Sequence, residues 1–237
     1  MKCMQTATAD RTAMLDLEQT SMERKKALRY ANLFWLFMIG NVLGVVIEGV
    51  WSVHQNGHWE SHVTMIWGPF NIVYGVGAVG MYIAATLLEK RSVVLNFLTL
   101  ALIGSVVEYI VAVFQERVFN SISWSYYHHP MNLNGKISLP ITLIWGTLGV
   151  LFAKLIMPLL KKLFPHLDNW GWDTACVILS VFIAVDMLVS LVLLYRWGWG
   201  WTGHSSNAVF QAIDSRYSPE FMENRFMEWT LLGGVTY

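Results

Sequence analysis
Residues 173–195 read DTACVILSVFIAVDMLVSLVLLY. After Asp173 the only charged side chain in this stretch is Asp186. Crossing the hydrocarbon core of a bilayer takes about 20 predominantly apolar residues in a helix. The stretch therefore reads as a membrane span, and that reading sets the fold. Four further stretches share its character, at 30–52, 66–88, 92–116 and 139–160. Lipid offers no hydrogen bonds to an open backbone, so each should be helical. The expected fold is an all-α, polytopic transmembrane helix bundle of about five spans. No sixth is expected, because Asp214, Arg216, Glu220, Glu223, Arg225 and Glu228 punctuate the chain beyond Trp201 and leave only a short apolar run.

Composition agrees. Of 237 residues, 55% are hydrophobic and 14% charged, against about 25% charged in an average soluble domain. That balance argues against a soluble enzyme and a disordered chain. Net charge is zero, so no basic footprint for nucleic acid is present. The 12 tryptophans suit anchoring at the two membrane–water interfaces. Cys3 lies in a polar tail and Cys176 in an apolar stretch, which excludes a disulfide framework. Residues 1–28 lack the apolar centre of a secretory signal, so the first span should also direct insertion. The chain divides into a cytoplasmic N-terminal tail (1–28), a transmembrane bundle (29–201) and a C-terminal surface tail (202–237).

Lys and Arg concentrate on cytoplasmic flanks of spans. Arg24, Lys25, Lys26 and Arg29 precede span one, Lys90 and Arg91 follow span two, and Lys161 and Lys162 follow span four. The stretch 53–65 has no Lys or Arg, and 117–138 has only Arg117 and Lys136. The expected product is a multi-pass cell-membrane protein with its N-terminus cytoplasmic and its C-terminus outside. The run Trp197-Gly198-Trp199-Gly200-Trp201 reads either as an interfacial anchor or as a loop packed on the protein.

Ionisable groups within spans are costly and tend to face a bundle interior or a wet cavity. Glu48, Glu108, Glu116 and Asp186 qualify. Helical spacing places Asn41, Gly44 and Glu48 on one stripe of span one. Span two aligns Gly68, Asn71, Gly75, Ala78 and Tyr82, and span three aligns Gly104, Glu108, Ala112 and Gln115. Asp186 and Ser190 are one turn apart. With alternating directions, nearly all these polar groups fall in the outer half of the membrane, together with Tyr74, Thr142 and Trp145. The inner half is apolar apart from Lys154, which can snorkel. One-sided polarity suggests a vestibule open to the outside. The competing structural reading is that polar side chains hold the helices together. Gly40 and Gly44, and the glycines Gly75, Gly77 and Gly80 of span two, read as sites of close helix packing.

Other chemistry is sparse. His54, His58 and His62 recur every four residues, a spacing usable for a metal, but Gly57 interrupts a helix there and no Cys or HExxH pattern supports it. No metal or cofactor is called for. No Walker A loop is present, so the chain does not hydrolyse ATP in the P-loop manner. Two glutamates in a low-dielectric pocket can serve as general acid and base.

Several motifs resemble one family. Ile66-Trp-Gly-Pro-Phe-Asn-Ile-Val-Tyr-Gly-Val-Gly-Ala78 is similar to the signature of the ABC-transporter type IV (CmpB-like) integral membrane permeases. So are Val107-Glu-Tyr109 with Glu116-Arg-Val-Phe119, the loop Trp124-Ser-Tyr-Tyr-His-His-Pro-Met-Asn132-Leu-Asn134-Gly135-Lys-Ile-Ser138 leading to Trp145-Gly146, and more weakly Ile213–Tyr217. The resemblance implies family positions at Glu48, Gly68, Pro69, Tyr74, Gly75, Glu108, Glu116, Trp124, Asn132, Asn134, Gly135 and Trp145. Two positions depart from the pattern. Ser125 stands where an acid is usual, and Lys136 where Arg is usual, which keeps the charge and loses bidentate anion recognition.

Together these features lead to an expected membrane transport component whose outward-facing polar pocket binds a cation, a proton or a small polar substrate. Glu48, Glu108 and Glu116 would bind it, Asn71, Tyr74, Asn132 and Asn134 would orient it, and Trp145 is a further expected substrate-binding residue. The loop 124–138 would cap the pocket and can be re-entrant, since irregular backbone is tolerated where it lines a cavity. Partners would be the lipid bilayer, a separate ATPase subunit docking on 89–91 or 161–172, and a second copy of the chain. The alternatives are an intramembrane enzyme acting on a lipid or lipid-linked substrate, through a glutamate pair or a His-bound metal, and a non-catalytic sensor or assembly protein.

Overall fold
The computed structural model describes residues 14–15, 18–19, 21–89 and 91–233. Cys3 and Lys90 lie outside the described residues. The structure is 72% helical. Five apolar helical runs form the bundle. These are α1 (Tyr30–Asn56), α2 (Ile72–Leu87), α3 (Val93–Phe119), a broken run from α4 (Leu139–Leu151) to α5 (Met157–Leu163), and α6 (Trp170–Gly198). Two short helices follow, α7 (Ala208–Arg216) and α8 (Pro219–Arg225). Strand β1 (Ser121–Ile122) pairs antiparallel with β2 (Thr230–Leu231), Ser121 opposite Leu231.

Four of the runs are long and apolar enough to cross a membrane: Tyr30–Asn56, Val93–Phe119, Leu139–Leu167 and Trp170–Gly198. The third is interrupted by a π segment at Phe152–Ile156. Pro158 lacks an N–H and its ring crowds the carbonyl of Lys154, and a wider turn just before it relieves the clash.

Helix α2 is the exception. Its 16 residues rise about 24 Å, short of the ~30 Å core. The span expected from residue 66 thus begins at Ile72. The reason is local. Gly68 has φ 70°, a left-handed conformation that glycine adopts without steric cost. Pro69 disfavours helix at the residue before it. Asn71 caps α2, its Oδ1 accepting from Val73 N at 3.1 Å.

Residues 57–71 are instead an irregular segment folded into the bundle, with Val63, Met65, Ile66 and Asn71 buried. Its backbone groups find partners across the fold. Ile66 N donates to Ser190 Oγ (2.8 Å) and Trp67 N to Asp186 Oδ1 (3.1 Å). Arg225 of α8 donates to Met65 O at 2.8 Å and to Gly68 O. Asn71 Nδ2 donates to His62 O (2.7 Å), and Ile72 N to Thr64 Oγ1 (2.9 Å). Irregular backbone can persist at such depth because protein groups replace water.

Glycines set the close helix contacts. A Cβ on Gly44 would stand 2.3 Å from the Tyr74 ring, and one on Gly75 2.3 Å from Asn41 Nδ2. Gly104 receives Trp145, Gly146 receives Phe97 and Gly149 receives Leu100, joining α3 to α4. Gly77 and Gly80 face open space, so in α2 the packing expected of three glycines falls to Gly75. One core cluster joins Val45, Val63, Ile66, Phe119, Leu193, Leu194, Trp197, Met222 and Phe226. A second joins Leu36, Tyr82, Ala85, Met157, Leu160 and Phe164. Trp197 is buried in the first, while Trp199 and Trp201 are about half exposed, so the Gly-Trp run both packs and projects.

Candidate functional site
Glu48 lies two turns before the end of α1, beside the start of α2. The Tyr74 hydroxyl, in the first turn of α2, donates to Glu48 Oε1. Glu108 lies in the last half of α3, 8% exposed. Its Oε1 accepts from the Tyr126 hydroxyl (2.7 Å) and its Oε2 from Trp145 Nε1 (2.5 Å). Gly104 makes this possible, since the Trp145 ring occupies the space where a side chain would project. The two carboxylates belong to one electrostatic neighbourhood. Burial, then the charges of Glu108 and Glu48, push the Tyr126 phenol well above its ordinary value, so it remains a proton donor at neutral pH.

A further carboxylate arrives from outside the spans. Glu228 follows α8 and is held in place by buried Phe226 and by β2. Its Oε2 lies 3.4 Å from His62 Nε2, each side chain 15% exposed. Burial pushes the Glu228 carboxyl up to about 8, the charges of Glu48 and Glu60 add to this, and Trp229 opposes it. Glu48, Tyr74, Glu108, Tyr126, Trp145, His62 and Glu228 thus bring α1, α2, α3, α4, two loops and the C-terminal segment to one end of the bundle.

The remaining candidates have other placements. Asn71 is committed to capping α2 and to His62 O. Glu116 pairs with Lys136, tying α3 to the loop before α4. Asn132 closes that loop on itself. Its Nδ2 donates to His129 O (3.0 Å) and Tyr127 O (3.1 Å), while its Oδ1 accepts from Gly135 N (3.1 Å). Asn134 Nδ2 donates to Tyr109 Oη (3.2 Å) from an exposed position. Gly135, at φ 67°, lets the loop turn against the Tyr127 ring. Asp186, wholly buried, accepts from Trp67 N and from Ser190 Oγ. Its Oδ1 therefore holds the irregular segment against α6. His54 lies in the last turn of α1 and His58 pairs with Glu60 at 3.2 Å. Among the described residues no group of His, Cys, Asp and Glu is arranged to hold a metal ion.

His62, Tyr126 and Glu228 are the members that sequence reading did not assign to the pocket. The legible signal for Glu228 was the apolar spacing Met222, Phe226 and Trp229 around it, which marks a segment with something to bury.

A family model described as "Putative ABC-transporter type IV" matches residues 35–191. The match takes in α1 to most of α6, with Glu48, Tyr74, Glu108, Tyr126 and Trp145, and stops before Glu228. No curated protein and no solved structure matches the chain. An all-helical, multi-pass bundle whose spans and connecting loops match that model over most of its length belongs to the ABC-transporter type IV family of membrane proteins.

Proposed function
We propose that the chain is a membrane transport component in which the cluster around Glu48 and Glu108 is a cation- or proton-binding pocket. The observation that carries this reading is convergence. Glu48 of α1 and Glu108 of α3, with the Glu228 carboxyl of the C-terminal segment nearby, meet the aromatic donors Tyr74, Tyr126 and Trp145 at one end of the bundle. Carboxylates attract positive charge, and aromatic faces add cation–π attraction for a desolvated cation. Lys136 is engaged with Glu116 rather than with Glu48 or Glu108.

Glu48 and Glu108 would be the binding groups. Asn71, Asn132 and Asn134 would act by holding the loops that shape the pocket, and Glu116 by fixing the loop before α4. Charge distribution in the flanks favours a cytoplasmic N-terminus, which would open the pocket to the external side. An ATPase, if the transport is driven that way, would meet the chain at the opposite end, near 89–91 and 161–172.

Two measurements test this. Calorimetric titration of the purified protein with protons, sodium and tetramethylammonium should show binding of at least one. Glu48→Gln and Glu108→Gln should weaken it tenfold or more, while Glu116→Gln changes it little. No binding, or binding indifferent to positions 48 and 108, would rule the pocket out. For orientation, an impermeant thiol reagent on intact cells should label a cysteine at Met131 and not one at Met22 in a Cys3→Ser background. Both residues are well exposed, and the reverse pattern would invert the topology.

A further inference from the structure
A cavity of about 470 Å³ lies at the other end of the bundle from the Glu48 and Glu108 cluster. Its walls come from the residues leading into α1, the end of α2, and the turn after α5. Its volume is in the ordinary range for a small-ligand site. The rim holds Arg24, Lys26, Arg29 and Lys161 with Glu23, Glu89 and Asp168. Most of the acids are already neutralised. Arg29 pairs with Asp168 and Asp173, and Lys161 with Glu89. Arg24 and Lys26 enter no ion pair among the described residues. Glu23 is the one rim acid without a cation, and it contacts Gln19.

The floor is polar in a place where apolar side chains would pack better. Tyr82 is fully buried and Thr86 is 3% exposed. The Tyr82 hydroxyl reaches Ala27 O only at 3.5 Å. Thr86 Oγ1 has no partner at hydrogen-bond distance among the described residues, its interaction being a looser one with Tyr82 a turn earlier. A buried hydroxyl left without a partner is costly, so the Thr86 hydroxyl at the floor of the cavity calls for a ligand that accepts hydrogen bonds. At the rim two cations, Arg24 and Lys26, stand outside ion pairs against one such acid, Glu23, and that excess of positive charge favours an anionic ligand.

We propose that this cavity binds a phosphate group, with Arg24 and Lys26 gripping its charge and the Thr86 hydroxyl, beside Tyr82, donating to its oxygens. Phosphate offers several acceptor oxygens in one small, highly charged group, which matches both sets of donors. The cavity sits where α1 begins and α2 ends, the level of lipid headgroups for helices that cross. Basic pockets between spans are suited to anionic headgroups. Soluble phosphate would satisfy the same donors.

The test uses the whole purified chain in neutral detergent, with native mass spectrometry and thermal melting as readouts. The probes are phosphatidylglycerol, phosphatidylcholine and inorganic phosphate. Phosphatidylglycerol is expected to bind and to raise the melting temperature above phosphatidylcholine. Arg24→Ala with Lys26→Ala should weaken binding about tenfold or more, from the ~1 kcal/mol that each basic residue contributes near an anionic surface. Thr86→Val should weaken it less. Lys25→Ala with Lys162→Ala removes the same charge from exposed positions outside the cavity and should leave binding unchanged. Stabilisation by inorganic phosphate alone would identify a soluble ligand and retain the site. Equal binding of both lipids with no effect of phosphate, or equal loss in the control pair, would overturn the proposal.

Discussion

Glu228 shows how one residue acquires its chemistry. Its carboxyl holds a proton to about pH 8 in the folded chain, against an ordinary value of 4.5. Between those limits the folded state binds more protons than the unfolded state. Stability therefore falls as pH rises through the window, by about 1.4 kcal/mol per unit from this group alone, and is level below it. Melting curves in detergent from pH 5 to 8 should show wild type losing stability with rising pH and Glu228→Gln losing less. Parallel curves would mean that Glu228 ionises freely in the folded chain. Gly44 makes the steric counterpart. An added methyl at Gly44 meets the Tyr74 ring, whereas at Gly77 it meets nothing. Gly44→Ala should cost about 1–3 kcal/mol, while Gly77→Ala should be neutral or stabilising by up to ~1 kcal/mol through helix propensity. Equal effects in an unfolding titration would show that α1 and α2 do not pack at this point.

Among the elements, the irregular segment 57–71 carries the most consequence. Its last part, 66–71, stands where a hydropathy reading begins a span, because Ile66 and Trp67 lead straight into the apolar run of α2. What keeps it irregular is a set of donors and acceptors from distant parts of the chain: Asp186 and Ser190 from α6, and Arg225 from α8. Arg225→Ala should leave the buried Met65 carbonyl unpaired, at roughly 1–3 kcal/mol, and release the exposed Gly68 carbonyl. Amide exchange should then rise across 63–70 while α3 and α4 stay protected. Uniform exchange across the molecule would show that the segment does not depend on α8. The loop before α4 is built differently. Asn132, Gly135 and the Glu116–Lys136 pair close it locally, so its form depends less on remote groups.

For the molecule as a whole, the C-terminal segment is part of the bundle's packing. Met222 and Phe226 share a core with Val45 of α1, Phe119 of α3 and Trp197 of α6, and β2 completes a two-stranded pair with β1. Phe226→Ala should cost about 3–5 kcal/mol, while Phe221→Ala, 37% exposed, should cost far less. Because the same segment carries Glu228, the Phe226 variant should also flatten the pH dependence of melting. A destabilised variant that keeps the full pH slope would separate the packing role from the carboxylate's placement.

The spans, the all-helical class and the family were readable from the chain because each depends on neighbouring residues. Apolar run length answers to bilayer thickness, and motif resemblance to residues in order. The stripe Gly104, Glu108, Ala112 and Gln115 was legible for the same reason, since helical periodicity puts those side chains on one face. Where α2 starts, which glycines pack, and which carboxylates stand together were not legible. Those depend on contacts between residues distant in the chain, some more than a hundred positions apart, such as Ile66 with Ser190, Met65 with Arg225 and His62 with Glu228. Hydropathy is a sum along the chain, whereas burial, pairing and the proton held by Glu228 are set by neighbours across space, and those exist once the helices have assembled.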